Sequence, residues 1–478
     1  QLAGVLPEYM IPSYMMEIDS IPVTRNGKLD KKALPEIEVK ATREYVAPRN
    51  ETEETICKIF GEILAIENVG VKDSFFELGG HSLRATRLVN KIESETGYRI
   101  ALKDVFSHPT PEKLSQIVLE SETEEYVPIP RAEEKEYYAM SSAQKRTYLI
   151  QQMYPEGTMY NMPQAFKLTG EVSVEDLRRA LQVIVERHEI LRTELLMVNG
   201  EAVQKVLETA KVPFEYEEAS NRTDEEEMKL FVRAFDLSKA PQIRARFVKR
   251  DTYGLLMLDM HHIVGDGMSM ATFMNELNAL YKGEKLEPLS HQFKDYSEWM
   301  NSRDLESQRA YWLRQFGDEI PVLDMPLDYA RPQEQSYEGS ITGSIVDKEL
   351  AKKIKELAKR TGTTEYMVFL SAAMVLLGKY SRQEDIVIGS PISGRTHRDT
   401  EAMLGMFVNT LAMRGRPEKE KRFEDFLLEM KEVCLKAYEN QEYPFEELVE
   451  EAQVQRDMSR NPLFDVMFVL QNNEKAEL

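Results

Sequence analysis

Phe75-Phe76-Glu77-Leu78-Gly79-Gly80-His81-Ser82-Leu83 is the stretch from which the rest of the chain follows. Two glycines precede a serine. The serine opens a run in which Ala85, Leu88, Val89 and Ile92 recur on one helical face. The glycines permit a tight turn and keep side chains away from whatever approaches the serine. Ser82 is therefore expected at a helix start, exposed, where unpaired amides and the helix dipole favour a phosphate. Capping the helix is the plainer role for a serine in that position. A hydrolase elbow would need Gly-x-Ser-x-Gly, and Arg84 at the last position excludes it.

Around this stretch, residues 46–120 have the pattern of a small helical bundle. Asn50 with Glu53 forms a helix-start box ahead of Ile56, Ile59, Phe60, Ile63 and Leu64. Thr110-Pro111 begins a last helix carrying Leu114, Ile117 and Val118. The nine residues and the bundle together resemble a peptidyl carrier protein (thiolation) domain of the non-ribosomal peptide synthetases. The resemblance implies a four-helix-bundle carrier with 4'-phosphopantetheine held covalently on Ser82, installed by a phosphopantetheinyl transferase.

Composition bounds the remaining possibilities. A chain of 478 residues with 42% hydrophobic content can form about three compact units. With 61 basic against 82 acidic residues, the net charge of −21 argues against a nucleic-acid partner. It gives no reason to expect an anionic membrane surface either, and no apolar run approaches spanning length. Two cysteines, Cys57 and Cys434, do not make a disulfide scaffold and fit a reducing cytoplasm, so the expected location is cytoplasmic. The start, Gln1-Leu2-Ala3-Gly4, is neither a signal peptide nor an initiator sequence, as expected of a piece of a longer polypeptide.

Before the bundle, residues 1–40 are broken by Pro7, Pro12, Pro22 and Pro35. Leu6 to Pro12 and Ile21 to Asp30 resemble the C-terminal tail of an adenylation domain, with Lys28 at the position that meets substrate carboxylate and phosphate in that family. The body of such a domain is not in this sequence, and Asn26-Gly27 is also a plain turn signal. After the bundle, residues 121–136 are Glu-rich and contain Pro128 and Pro130, the pattern of a solvated, extended linker.

From Tyr137 onward helical and strand-like runs alternate, as in α/β sandwich lobes. Val172 to Leu191 reads as an amphipathic helix with Leu177, Leu181, Ile184 and His188 on one face. Leu255 to Met260 reads as a strand. Ala351 to Tyr380 reads as two helices broken at Gly362, and Ile386 to Ile388 as a short strand.

The Leu255–Met260 strand delivers His261-His262-Ile263-Val264-Gly265-Asp266-Gly267-Met268-Ser269. On an extended backbone the two imidazoles point opposite ways. No third ligand stands at metal spacing, so no metal site is expected. One histidine facing a cleft can act as a base or hold charge at a reacting centre.

This motif resembles the His-His-x-x-x-Asp-Gly signature of condensation domains in non-ribosomal peptide synthetases, whose two lobes are similar to chloramphenicol acetyltransferase. Further stretches match the family in order: Ser141 to Arg146, Arg187 to Thr193, Asp295 to Trp299, Gly405 to Thr410, Tyr443 to Glu446, and Arg456 to Phe464. The whole is similar to synthetases of the tyrocidine and gramicidin type. The resemblance implies a multidomain chain: adenylation tail 1–40, carrier 46–120, linker 121–136, and condensation lobes 137–305 and 306–478. The family continues beyond the Asn-Pro-Leu-Phe motif, so the second lobe is expected to be incomplete.

Carried over by position, His262 is the catalytic histidine and Gly267 backs the tunnel floor. His261 and Asp266 are structural, with Asp266 paired to Arg187 or Arg192. Asn409 and Ser393 lie near matched segments with no assigned role. Gly265 stands where the family often has Ser or Ala, which should loosen the turn.

The activity implied is an acyltransferase that forms amide bonds. The carrier holds the donor acyl or peptidyl thioester, and an aminoacyl thioester on a downstream carrier supplies the amine. The upstream partner is an adenylation domain, a monomer is expected, and no epimerisation domain intervenes, which implies an L-configured donor. The competing expectations are a carrier and docking fragment without turnover, and a free-standing acyltransferase that uses a soluble acyl-CoA.

Overall fold

Asn50 caps the first helix, its side chain accepting a hydrogen bond from the Glu53 amide at 2.9 Å, as the start box predicts. The computed structural model describes residues 45–120, 126–333, 335, 339–454, 457 and 459–471. The adenylation-like stretch, Lys28 included, lies outside the described residues.

Four helices follow one another here: α1 (Glu51–Leu64), α2 (Ser82–Thr96), α3 (Leu102–Ser107) and α4 (Pro111–Glu120). Their core is Ile56, Ile59, Phe60, Leu88, Ile92 and Leu114, all fully buried, closed by Phe75 set edge-on to Phe60 at 5.1 Å. A Cβ at Gly80 would meet the Phe75 ring at 2.3 Å, so this glycine is needed for close approach. Gly79 is needed for its φ of 97°. The six-residue α3 has too few positions to show a period, so no sequence pattern marks it.

Next come β1 (Tyr138–Ala139), α5 (Ser142–Met153), β2 (Gln164–Leu168), α6 (Val174–Arg187), β3 (Thr193–Val198), β4 (Glu201–Val206), β5 (Phe214–Glu217), α7 (Asp224–Phe231), β6 (Ile243–Lys249), β7 (Gly254–Met260), α8 (Gly267–Tyr281), α9 (Phe293–Ser302) and α10 (Glu306–Gln315). The strands form two sheets, ordered β2-β7-β6-β5 and β1-β4-β3. Only the β5–β6 pair is parallel among those described. Every residue of β7 is buried, which explains its apolar run, interrupted only by Asp259, which pairs with Arg244 at 2.6 Å: the strand is central and covered on both faces. Helix α6 is shorter than its apolar face suggests. At His188 the backbone turns extended, because the imidazole goes inward to stand 2.7 Å from the buried Glu276 carboxylate.

The remaining elements are α11 (Lys348–Thr361), α12 (Glu365–Ser381), β8 (Ile386–Ile392), β9 (Asn409–Gly415), α13 (Phe423–Glu439) and α14 (Phe445–Glu451). Gly362, at φ 61°, ends α11 where the sequence predicts a break. Strands β8 and β9 pair antiparallel, and Met467 bridges Gly389 on the other side of β8.

The expected linker is exposed over most of its described part, but it is pinned to the fold at a few points. Ile129 is 1% exposed within the main core. Its amide donates to Asp399, Ala132 donates to Asp295 at 2.8 Å, and the Tyr126 hydroxyl donates to Asp399. Backbone donors satisfied by carboxylates and one buried isoleucine hold this acidic stretch against the surface.

The helical unit is seated on the α13 side. Phe76 stacks on Phe106 at 4.9 Å and Phe106 on Tyr438 at 5.5 Å. Lys103 pairs with Glu439 at 2.8 Å, and Asn90 donates to Glu401 at 3.0 Å.

Candidate functional site

Ser82 is the first residue of the 15-residue helix α2 and is exposed. Its predecessor His81 stands at the cap with φ −145° and places no side-chain hydrogen bond on the helix end, and the first turn carries no acidic residue. The first-turn amides and the positive end of the dipole therefore surround a free hydroxyl. An anionic phosphodiester on Oγ fits this position: the first turn of α2 carries no carboxylate, and the neighbouring Gly79 and Gly80 add no bulk.

The histidine turn grows out of β7. His261 closes the strand, forming a bridge to Asn161, and a 3-10 turn then runs His262–Val264. The second histidine leaves the strand through this turn, where simple strand alternation does not apply. His261 is fully buried. Its Nδ1 accepts from the Ile263 amide at 3.1 Å, and its Nε2 lies 3.4 Å from Gln151 Oε1. Burial pushes its pKa down to about 3, helped by the neighbouring His262 and Arg244, so it is neutral at any working pH. His262 is half-buried. Its amide donates to Tyr160 O at 2.8 Å, and its carbonyl accepts from Gly265. Its Nδ1 is buried without a hydrogen-bond partner, leaving ring chemistry uncommitted to the fold.

Gly265 adopts φ −166°, extended backbone open to any residue. A Cβ there would meet only the end of the Met260 side chain closely, at 2.7 Å, so the turn does not depend on glycine. Gly267 is the first residue of α8 and is exposed.

Asp266 caps α8. Its Oδ1 accepts from the Ser269 amide at 2.7 Å and the Ser269 hydroxyl at 2.8 Å, and its Oδ2 accepts from the Phe407 amide at 3.1 Å. Its cationic partner is Arg395 at 3.3 Å. The expected pairing with Arg187 or Arg192 is therefore corrected. Arg187 reaches Glu276 at 3.0 Å, two turns along α8, and Arg192 donates to the Leu207 carbonyl beside Glu189. Arg187 ties the end of α6 to α8 and Arg192 holds the turn after it, whereas Asp266 faces the segment that leads into β9. Arg395 also holds the Thr400 and Met403 carbonyls and lies 4.0 Å from the Phe407 ring.

Several functional neighbours escaped the sequence reading. Arg395 and Ser269 carry no period or spacing that marks them. Gln144 stands in the quoted opening motif, and the structure shows its use: its Nε2 donates to the Ile263 carbonyl at 3.4 Å. Gln151, seven residues on, falls on the same face of α5, and that spacing was the available signal. Asn409 turns out to brace backbone, donating to Gln441 O and Tyr443 O and accepting from Phe445. A cavity of about 290 Å³ lies beside it, walled by Ser141, Tyr296, Arg303, Asn409 and Tyr443 among others. His262 is not on that wall. Among the described residues no cluster of metal-ligating side chains occurs and no helix is long and apolar enough to cross a membrane.

Known proteins fit this geometry. The family profile for phosphopantetheine attachment sites matches residues 54–118, and that for condensation domains matches residues 134–477. Bacitracin synthase 3 of Bacillus licheniformis is 48% identical over 483 residues, which covers 100% of this chain and 8% of the relative. Tyrocidine synthase 3 of Brevibacillus parabrevis is 46% identical, covering 99% of this chain and 7% of its own length. The chain thus spans a small fraction of the curated relatives it matches.

Among solved structures, the X-domain from teicoplanin biosynthesis superposes with a TM-score of 0.66 at 23% identity, over 71% of this chain and 79% of that one. A holo four-domain nonribosomal peptide synthetase bound to AMP and glycine gives 0.66 at 23% identity, over 72% of this chain and 27% of that one. These two establish the shared fold. Nearly the whole length from residue 54 is thereby accounted for, and the chain belongs to the condensation-domain family of the non-ribosomal peptide synthetases, with a phosphopantetheine-attachment carrier domain ahead of it.

Proposed function

We propose that this chain is a module junction at which a donor held on the carrier is joined to an amine held on a downstream carrier. The observation that carries this reading is the order of the two sites. An exposed serine opening α2 stands upstream of, and in the same polypeptide as, a turn bearing a half-buried histidine with an uncommitted ring nitrogen. The domains are read as adenylation tail 1–40, carrier 46–120, linker 121–136 and condensation lobes 137–305 and 306–478.

Ser82 is the attachment residue, and 4'-phosphopantetheine on its Oγ would supply a long thiol arm that presents the acyl group as a thioester. The chain's own residues do the rest. The first-turn amides of α2 neutralise the phosphodiester. His262 stands at the reacting centre, where its imidazole orients the incoming amine and takes up or shares its proton while charge builds on the donor carbonyl oxygen. Gly267, exposed at the start of α8, leaves backbone open to the substrate. His261 stays neutral and structural, and Asp266 with Arg395 fixes the turn against the β9 side. Tethering converts an encounter of two molecules into an encounter of two arms, which supplies much of the rate.

The reading includes a phosphopantetheinyl transferase, an upstream adenylation domain and a downstream aminoacyl carrier as partners. It also includes an L-configured donor, a monomeric state and a cytoplasmic setting. A carrier built into the chain disfavours a soluble acyl-CoA as donor.

The test is peptide formation. The chain is loaded at Ser82 with an aminoacyl donor and mixed with a loaded downstream carrier, and product on the acceptor is followed by mass spectrometry. A dipeptidyl acceptor, absent with Ser82→Ala and not restored by free aminoacyl-CoA, is the expected result. Loaded donor that never transfers to any aminoacyl acceptor would reduce the chain to a tethering and docking unit.

A further inference from the structure

Helix α5 lies behind the histidine turn and touches it twice. Gln144 donates to the Ile263 carbonyl at 3.4 Å, and Gln151 stands 3.4 Å from His261 Nε2. Both glutamines are essentially buried, and Thr147 between them is buried on the same face. A polar stripe at intervals of three to four along a helix has to face partners that satisfy it.

The orientation of the Gln151 amide is fixed by its surroundings. Its Nε2 sits 3.3 Å from Tyr154 O, 3.3 Å from Pro155 O and 3.2 Å from Gly157 O. Carbonyls only accept, so the NH2 group must face them and Oε1 must face His261. An amide oxygen only accepts as well, so His261 Nε2 must carry the ring proton. Nδ1 is then the bare nitrogen, which is what the Ile263 amide requires, since it donates to Nδ1 at 3.1 Å. Each end of this relay dictates the other: three loop carbonyls, the Gln151 amide, the neutral His261 ring and the amide inside the turn that carries His262.

We propose that Gln151 is a positioning residue for the transfer reaction, acting through the tautomer of His261 to hold the 3-10 turn that presents His262. Removing the Oε1 acceptor strands a buried N–H on His261. The ring then moves its proton to Nδ1 or turns to find water, and either change removes the acceptor from the Ile263 amide. The turn His262–Val264 keeps its backbone bonds (Val264 to His261 O, Gly265 to His262 O, His262 to Tyr160 O) and the Gln144 contact, but loses the side-chain acceptor for its Ile263 amide. His262 would stay in place on average but lose its fixed direction. That costs turnover more than substrate binding, because orientation of the reacting groups is what is lost.

The proposal rests on the reading of His262 as the transfer residue, so its test has a readout independent of transfer. The full chain is labelled with ring-15N histidine, and the His261 signals among the seven histidines are assigned by their loss in His261→Asn. In wild type, His261 is expected to show a protonated Nε2 and a bare Nδ1, unchanged between about pH 5 and 8. In Gln151→Leu and Gln151→Met the signal should broaden or split between tautomers. The transfer kcat should fall about tenfold with KM within about twofold, and melting should remain cooperative.

A wild-type His261 protonated on Nδ1 overturns the proposal. So do variants that keep the wild-type tautomer and rate, and so does failure of both variants to fold, which would make Gln151 a folding residue. A fully active His262→Ala would instead sink the transfer reading and leave the tautomer result standing.

Discussion

Asp266 and Arg395 meet at 3.3 Å, both essentially buried, although 129 residues separate them. The carboxylate also caps α8 and receives the Phe407 amide, while the Ser269 hydroxyl bonds Gly405. The pair therefore ties the helix that follows the histidine turn to the segment leading into β9. Asp266→Ala would leave a buried guanidinium without its carboxylate, at a cost of about 3–5 kcal/mol. Arg395→Met should cost a similar amount. Denaturant melts of both single variants and the double variant give the coupling, and additive losses would show that the pair is not the source.

Ser82 is exposed at the start of α2, with nothing anionic in the first turn. Treatment with a phosphopantetheinyl transferase and coenzyme A should raise the intact mass by one arm in wild type and leave Ser82→Ala unchanged. Ser82 contributes no side-chain cap to α2, so the variant's melting point should match wild type. A modified Ser82→Ala would move the attachment elsewhere.

His261 makes stability pH-dependent in a defined direction. Its ordinary pKa of 6.5 falls to about 3 in the fold, mainly through burial. Between these values the unfolded chain binds a proton that the folded chain refuses, so this residue's contribution is intact above pH 6.5 and declines as pH falls towards 3. The slope can reach about 1.4 kcal/mol per pH unit. His261→Asn should flatten the stability profile in that window relative to wild type. Parallel profiles would mean that the ring is solvated in the native state.

The carrier's seat on α13 is an aromatic stack with a surface ion pair beside it. Phe106, which touches both Phe76 and Tyr438, is 7% exposed. Phe106→Ala should cost about 3 kcal/mol locally. Hydrogen exchange should speed up in α2 to α4 and leave β6 and β7 protected. Lys103→Glu, at the 2.8 Å pair with Glu439, should change exchange far less, because the exposed pair is worth roughly 0–1 kcal/mol. Uniform exchange across both parts in Phe106→Ala would show that they unfold as one unit.

What the sequence made legible follows local physics. The Asn50 cap, the break at Gly362 and the start of α2 at Ser82 are each set by residues a few positions apart, and each appears where the sequence predicts it. The buried strand β7 was visible because Leu255 to Leu258 are contiguous apolar residues. Long-range choices were not visible. Nothing in the local sequence around Asp266 selects Arg395 over Arg187: the two arginines lie 129 and 79 positions away, and only the folded path brings one of them to the carboxylate. His188 lay on the apolar face of a helix that should have continued, and the Glu276 carboxylate, 88 residues on, ended it. The acidic linker is mostly solvated as its charge suggests, but its anchors, buried Ile129 with a carboxylate-bound amide, carry no signal in composition.

His262 is tied into the fold through its backbone. Its backbone is held at two points, by Tyr160 O and by the Gly265 amide, while its Nδ1 has no partner in the fold. A half-buried ring whose Nδ1 has no hydrogen-bond partner can be removed at little cost to stability. His262→Ala should therefore melt within a few degrees of wild type, a shift worth about 1 kcal/mol or less. Single-turnover transfer from the loaded carrier should nevertheless slow by about 10²–10⁴-fold, the usual contribution of one acid–base group. His262→Gln, which keeps a polar side chain but cannot exchange a proton, separates the two roles. Recovery of most of the rate would favour orientation of the amine, and a rate as low as that of His262→Ala would favour proton transfer. Early melting of His262→Ala beside a stable, inactive Asp266→Ala would exchange the roles of the two residues. Wild-type transfer by both variants would remove the reaction from this turn altogether.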